Sequence, residues 1–408
     1  MNFSSPVLTN LNNRGFLYQI TDYKALDDLF CGNNKIVCYV GVDPTAKSLH
    51  VGHLLWIKLI NILQQAGVYP IIIIGGATGR IGDPTWKDKE RVMLDSAIIA
   101  SNTKSITDKL QKFIKFDSVK NPAILLNNDE WISKINYIDF LKDFGPLFSV
   151  NKMLAMDSVS SRLARQQHLS FLEFNYAILQ AYDFLYLFEN YGCRLQIGGA
   201  DQWSNMISGV DLIRKKTGKT AIGASMPLLT TAGGKKMGKT ENGAIWLDEN
   251  LTSPFDFWQF WRNVDDRDAT KLMKLFTNID IEEINAYDSF VGKPEINAAK
   301  IILANAITIF VHPNADLDAI NANAKNLAND RFDVENVETF EVENGTKVDK
   351  ILVLANLAPS LTFAKRLIDG NGVKINGKLV DSYHVEITNE CLLSVGKKKI
   401  VNIKIRDR

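Results

Sequence analysis

Two histidines stand three residues apart, His50 and His53, shortly after a strand-like run that ends in GVDPT at residues 41–45. On the first turn of a helix they lie where backbone N–H groups are free and the positive end of the helix dipole emerges, a place suited to phosphate. Gly52 between them removes a side chain, so a flat ring such as adenine can lie against the backbone. The same pattern alone also fits a helix start with incidental histidines. Two glycine-rich strand exits add to it. GGATGRIGDP at 75–84 carries four glycines that permit close backbone approach to a ligand, with Asp83 at its end. GGADQW at 198–203 carries Asp201, which can accept a hydrogen bond from a ribose hydroxyl.

A third kind of chemistry sits in GGKKMGKT at 233–240, a loop with lysines at 235, 236 and 239. Such lysines suit charge that develops only in a transition state, on a leaving polyphosphate, although a solvated charge run has the same composition. Tyr176, Gln180 and Asp183 are spaced four and three residues apart, so a helix over 171–189 places them on one face. They form either a solvated stripe or, because the helix is otherwise so apolar, a buried set that needs polar partners.

Elements must hold these groups in place. Runs rich in β-branched residues predict strands near 36–41, 69–75, 123–127 and 194–198, and helical periodicity marks 54–65, 91–114 and 171–189. Strands alternating with helices predict a mostly parallel α/β sheet, with ligands beyond the carboxyl ends of the strands, where residues 41–53, 75–83 and 198–205 fall. From about residue 251 the pattern turns helical and aromatic. Residues 321–347 are rich in Asn, Asp and Glu, the composition of a linker. The expected organisation is therefore an α/β domain over 1–225, a helical domain with the lysine loop over 226–325, a linker over 326–347 and a small domain over 348–408.

The chain has 408 residues, 46% hydrophobic and 23% charged, which excludes a disordered protein and requires more than one core. No apolar run approaches the ~20 residues of a membrane span, and residues 1–14 do not read as a secretory signal. A cytoplasmic location is expected. The four cysteines form no CxxC pair, which argues against a disulfide framework or a structural zinc site and leaves them as buried or neutral thiols. Net charge is +1, yet residues 348–408 hold 11 Lys+Arg against 6 Asp+Glu, a local +5 that leaves −4 elsewhere and points toward nucleic acid.

Taken together, the four segments resemble a class I aminoacyl-tRNA synthetase, with residues 50–53 (HVGH) matching its HIGH signature and residues 236–240 (KMGKT) its KMSKS signature. Within that class the chain from about Tyr39 onward is similar to the bacterial-type tyrosyl-tRNA synthetases, on YVGVDPT at 39–45, residues 75–84, NNDEW at 127–131, QAYDF at 180–184 and residues 196–203. The fold so implied is a Rossmann-like parallel-sheet catalytic domain, then a helical anticodon-side domain, then a small α+β domain like S4. TFAKRLIDGNGVKINGK at 362–378 resembles the S4 RNA-binding domain, with a basic helix turning into a hairpin at Asn376 and Gly377.

The resemblance implies two steps: activation of tyrosine by ATP to tyrosyl-adenylate, then transfer to a terminal ribose hydroxyl of tRNA. It assigns the substrate phenol to Tyr39 and Asp183, and the ammonium to Tyr176, Gln180 and Asp83; Asn128 and Gln202 complete the tyrosine set. ATP would meet Gly41, Asp43, His50, Gly52, His53, Gly199 and Asp201, with Thr45 and His50 near the γ-phosphate and His53 on the ribose side. Lys87, Arg91, Lys236 and Lys239 would close on pyrophosphate. Lys365, Arg366, Lys374 and Lys378 would face tRNA phosphates. Mg2+ would arrive with ATP, with no dedicated protein metal site and no tightly bound cofactor. A homodimer is implied, with residues 144–156 near its interface. Gly238 departs from the serine of KMSKS, Val40 stands where many relatives have cysteine, and Trp56 and Trp86 are bulkier than expected near the ATP entrance. Two other readings remain: a tryptophanyl-tRNA synthetase, opposed by Tyr39 with Asp183 and by the S4-like tail, and a noncatalytic RNA-binding relative, opposed by the intact histidines and lysines.

Overall fold

The four β-branched runs form four adjacent strands of a six-stranded sheet. β1 (Gln19–Ile20), β2 (Val37–Val42), β3 (Tyr69–Ile74), β4 (Ile124–Asn127), β5 (Leu195–Gly199) and β6 (Ile222–Met226) lie in the order β1-β6-β5-β2-β3-β4. From β6 to β4 every neighbour is parallel, and β1 adds an antiparallel edge. In β3, YPIIII, all but Tyr69 are buried, the continuous apolar run of a strand covered on both faces. β6, IGASM, has little β-branched character, and its place next to β5 comes from tertiary pairing that periodicity does not reveal.

The computed structural model describes residues 2–83, 95–117, 119–240, 243–328, 339–396 and 399–406. Lys87, Arg91 and Trp86 lie outside these residues, and Lys239 is described through its backbone alone. Two compact units result, Met1–Pro313 and Asn314–Arg408. No helix among the described residues is long and apolar enough to cross a membrane. Cys38, Cys193 and Cys391 are buried free thiols, and Cys31 is an exposed one.

In the first unit the chain leaves β2 toward β3 and leaves β5 toward β6, in opposite directions along the sheet. The exits of these adjacent strands therefore diverge and open a crevice at the carboxyl edge. α1 (Leu54–Gln65), α2 (Ser96–Leu110), α3 (Phe171–Tyr191) and α4 (Trp203–Thr217) accompany the strands. α3 starts on a capping box, with Ser170 accepting from Glu173 N–H and the Glu173 side chain returning to the cap, and ends at Gly192 with φ 66°. A short antiparallel pair, β7 (Lys239–Thr240) and β8 (Gly243–Ala244), comes next, and the helical part follows with α5 (Pro254–Arg262), α6 (Asp266–Phe276) and α7 (Ile296–Val311). Phe257, Trp258 and Trp261 of α5 are buried, and Trp258 Nε1 donates to Asn305 Oδ1 at 2.7 Å.

The second unit holds β9 (Thr339–Val342), β10 (Thr346–Lys347), α8 (Val348–Leu354), α9 (Leu361–Asp369), β11 (Val373–Ile375), β12 (Lys378–Leu379), β13 (Glu386–Ile387), β14 (Cys391–Val395) and β15 (Lys399–Ile405). Its sheet runs β12-β11-β14-β15-β9, and β10 pairs with β13. Asn376 and Gly377 both take positive φ, 48° and 80°, as a two-residue hairpin turn of this hand requires. β9 and β10 come from the stretch whose composition reads as linker. β9 is nonetheless fixed, parallel to β15, with Val342 buried in the core beside Ile351, Ile368 and Leu393.

Candidate active site

A cavity of about 380 Å³ opens at the diverging ends of β2 and β5. Tyr39, Gly41, Asp43, Thr45, His50, Gly52, His53, Asp83, Asn128, Tyr176, Gln180, Asp183, Gly199, Asp201, Gln202 and Lys236 all line it, so residues up to 197 positions apart in sequence share one space. Trp56 and Val40 line the same cavity and are buried in its wall.

At the inner end Asp183 is 4% exposed. Its Oδ1 accepts from Trp131 Nε1 at 2.7 Å and its Oδ2 from Asn128 Nδ2 at 3.0 Å. Burial pushes the carboxyl up to about 7, against the pull of those two donors. Asn128 is itself fixed, its Oδ1 taking Ala77 N–H at 2.9 Å and its Nδ2 also reaching Thr78 Oγ1 at 3.0 Å. Tyr39, from β2, is 2% exposed, and its buried hydroxyl has no hydrogen-bond partner. Its pKa is pushed well above the ordinary value by burial and by the nearby Asp183 charge. A buried hydroxyl without a partner beside a buried carboxylate is costly unless a polar group completes the pair. A phenol O–H placed between them donates to Asp183 and meets the Tyr39 hydroxyl.

One step outward, Asp43 takes Thr78 Oγ1 at 2.9 Å and Tyr176 OH at 3.0 Å on its two oxygens. Asn205 Nδ2 bridges Gln180 Oε1 (3.2 Å) and Gln202 Oε1 (3.1 Å), and Gln202 Nε2 donates to Asp83 Oδ2 at 2.7 Å. Carbonyl and carboxylate oxygens thus converge from three elements, an arrangement that suits an ammonium group.

The outer end is built by the 50–53 turn. His53 Nδ1 accepts the His50 backbone N–H at 3.0 Å, and His50 Nδ1 accepts the Gly52 N–H at 3.0 Å. Because a backbone N–H can only donate, the bond from Gly52 leaves the proton of a neutral His50 ring on Nε2; His53 Nδ1 also lies 3.2 Å from His50 O, so its role follows the tautomer. Burial, then the His50 neighbour, lowers the His53 pKa to about 3, so it stays neutral at physiological pH. Gly52 also has an internal reason: a Cβ there would come within 2.8 Å of the His50 ring.

The lysine loop is tied to this turn through its backbone. Val51 N–H donates to Ile245 O, Leu247 N–H to Leu49 O, and Ile245 N–H to Gly238 O, each at 2.8–2.9 Å. Gly238 has φ +81°, and a Cβ would lie 2.9 Å from Val51 Cβ, so the residue in the serine position of the signature is required here by shape. Lys236 reaches Asp201 at 3.4 Å.

The glycines at 75–79 are also required by their protein neighbours. A Cβ on Gly75 would fall 2.0 Å from Asp43 Oδ1, on Gly76 2.2 Å from Asn127 Oδ1, and on Gly79 3.1 Å from Pro44. They make room chiefly for protein side chains that line or support the cavity. Sequence reasoning missed Thr78, Trp131, Gln196 and Asn205. Gln196 lines the cavity opposite Tyr39 in the β2–β5 register and is 3% exposed. A polar residue inside an apolar strand was the signal that could have found it. In the second unit Lys365, Arg366 and Lys378 are exposed and Lys374 is half-buried. Lys365 Nζ lies 4.9 Å from the Tyr383 ring centroid.

Residues 32–328 match the family of tRNA synthetases class I (W and Y), and residues 346–390 match the S4 domain. The chain is 46% identical over 406 residues to the tyrosine–tRNA ligase of Rickettsia conorii, covering 96% of this chain and 98% of that one. It is 43% identical over 420 residues to that of Wolbachia pipientis, covering 99% and 100%. Among solved structures, a C-terminally truncated mitochondrial tyrosyl-tRNA synthetase of Aspergillus nidulans superposes with a TM-score of 0.69 at 30% identity, over 79% of this chain and 94% of that one.

Proposed function

The chain belongs to the class I tRNA synthetases, in the tyrosyl branch that carries an S4 domain, and from that membership we propose that it charges tRNA with tyrosine through a tyrosyl-adenylate. The observation that carries the tyrosine assignment is the inner end of the cavity, where the unpartnered Tyr39 hydroxyl sits near the buried Asp183 carboxylate.

In the first step the tyrosine carboxylate oxygen attacks the α-phosphorus of ATP in line, and the bond from that phosphorus to the bridging oxygen of pyrophosphate breaks. No covalent enzyme intermediate forms and no proton must move, so the protein's task is positioning and charge stabilisation. Tyr39 and Asp183 hold the phenol, while Tyr176, Gln180, Asp83 and Gln202 orient the ammonium. The Nε2–H of His50 and the ring of His53, with Thr45, are offered to the ATP end, and Asp201 to the ribose. Lys236 and Lys239, with Lys87 and Arg91, neutralise the leaving pyrophosphate. Mg2+ enters with the ATP phosphates as part of the substrate and supplies charge neutralisation there. In the second step a terminal ribose hydroxyl of tRNA attacks the carbonyl carbon of the adenylate. The ribose ester bond forms, the anhydride bond between that carbon and the phosphate oxygen breaks, AMP leaves and the hydroxyl proton goes to the departing phosphate or to solvent, while Lys365, Arg366, Lys374 and Lys378 hold part of the tRNA.

A cytoplasmic homodimer fits the molecule. Tyr137, Ile138, Val150, Leu154, Leu163 and Phe171 are exposed in a stretch of 35 residues, and a cavity of about 300 Å³ lined by Leu147, Phe148, Met153 and Met156 opens in the same region. Light scattering decides the oligomeric state.

Amino-acid-dependent ATP–pyrophosphate exchange tests the activity. Tyrosine should support it and tryptophan and phenylalanine should not. A chain lacking residues 346–408 should keep exchange and lose tRNA charging, because its phosphate contacts go with the local positive charge. Exchange driven by tryptophan, or absent with all three, contradicts the proposal.

A further inference from the structure

Asp268 lies in the first turn of α6 and is 5% exposed. An acidic side chain at the third position of a helix ordinarily turns back onto the backbone of its own cap. Here the cap residue Asp265 accepts Arg267 N–H, and the Asp268 carboxylate instead accepts the backbone N–H of Ala232, 36 residues earlier, at 2.7 Å. The neighbouring acids have other partners: Asp265 pairs with Arg267 at 2.7 Å and Asp266 pairs with Lys300. A buried carboxylate is retained at such a place only when it is hydrogen-bonded, and the helix N-terminus favours its negative charge.

Ala232 sits in the turn of the lysine loop. Thr231 N–H donates to Lys235 O and Gly234 N–H to Thr231 O, each at 2.8 Å, while Thr230 bridges to Lys236 and Met237 N–H donates to Leu229 O at 2.8 Å. The Asp268 bond therefore grips the tip of a small hairpin whose return arm carries Lys236. We propose that Asp268 is a positioning residue that anchors this loop, so that Lys236 is already held near the phosphate end when pyrophosphate begins to leave. The inference rests on reading the cavity as a site that expels pyrophosphate.

Two readouts separate the anchor from that reading. Limited trypsin digestion of the full-length protein reports the loop directly, through cleavage after Lys235 and Lys236. Asp268→Ala should raise that cleavage rate at least about tenfold, Ala232→Pro should do the same by removing the donor without touching the helix, and Asp268→Asn, whose amide oxygen still accepts, should stay near wild type. In tyrosine-dependent exchange, Asp268→Ala should lower the rate about 10- to 100-fold with equilibrium tyrosine affinity unchanged. In a Lys236→Ala background it should cost almost nothing more, because both changes remove the same charge from the same place. Wild-type cleavage in both Asp268→Ala and Ala232→Pro, parallel loss of tyrosine affinity, or losses that multiply in the double variant would overturn the anchor. Accelerated cleavage in a protein that shows no exchange would keep the anchor and sink the synthetase reading instead.

Discussion

The two ends of the cavity are built on opposite principles. At the inner end every group is buried and fixed before a ligand arrives: Asp183 is held by Trp131 and Asn128, and Asn128 by Ala77 and Thr78. At the outer end Lys236 is 41% exposed and reaches Asp201 at 3.4 Å, with its loop fastened through backbone bonds. Selection of a hydroxyl requires buried polar groups that go unpaired when the wrong ligand binds, whereas expulsion of pyrophosphate requires charge that strengthens its contact late. On the proposed reading, rigidity serves the tyrosine end and exposure the pyrophosphate end of ATP.

Removing the outer charge should separate the two ends most sharply. Lys236→Ala should slow adenylate formation by ~10²–10³, by comparison with other transition-state donors, while tyrosine affinity stays constant. Pre-steady-state fluorescence measures both quantities in one experiment; tyrosine affinity falling in step with the rate would unite the ends again.

At the inner end, Trp131→Phe or Asn128→Ala takes one donor from Asp183. A charge-assisted hydrogen bond is worth about 1.5–3 kcal/mol, so tyrosine affinity should fall ~10- to 100-fold with the KM for ATP unchanged. Equal changes in both constants would show that these residues support the whole cavity.

Gly238→Ala should have a smaller effect, since the left-handed backbone costs a non-glycine residue roughly 1–2 kcal/mol. The expected loss is about 5- to 30-fold in exchange rate, and it should fall on the rate and spare tyrosine binding.

The smallest effect concerns pH. Asp183 titrates near 7, so tyrosine affinity should weaken as pH is lowered from 8 to 6, up to about tenfold, because the protonated carboxyl is a poorer acceptor for the phenol. ATP affinity should show no matching step from His53, already neutral over that range. The sign for stability is the reverse. A carboxyl raised from 3.8 to about 7 in the folded state destabilises progressively as pH rises through that window, so Asp183→Asn should gain melting temperature at pH 8 and little at pH 4. Titration calorimetry and thermal melts at several pH values measure these.

The outer end was far more legible in the sequence than the inner one. HVGH and KMGKT are contiguous segments whose residue types announce phosphate chemistry, and His50, Gly52, His53, Lys236 and Met237 from them line the cavity. Strands β2, β3, β4 and β5 could be read because apolar and β-branched runs are local signals, whereas β1 and β6 depend on long-range pairing that leaves no period. The stripe of Tyr176, Gln180 and Asp183 was visible from helical spacing, but the bonds that hold Asp183 were not: Asn128 joined the tyrosine set only through the family resemblance, and Trp131 was not named as a site residue. Trp131 and Asn128 come from a short turn 52 and 55 residues away, and a tryptophan N–H carries no sequence mark of its partner. The same holds for Asp268, which reads as one more acid in a charged helix start until Ala232 is placed beside it.

The central claim is that the inner end reads the phenol hydroxyl through Asp183, and the most direct measurement is the tyrosine-to-phenylalanine ratio of kcat/KM in pyrophosphate exchange for wild type and Asp183→Ala. The wild type should show a strong preference that falls by at least about tenfold in the variant, mainly through lost tyrosine activity, with ATP binding intact. An unchanged ratio would remove Asp183 from the specificity site and contradict the account.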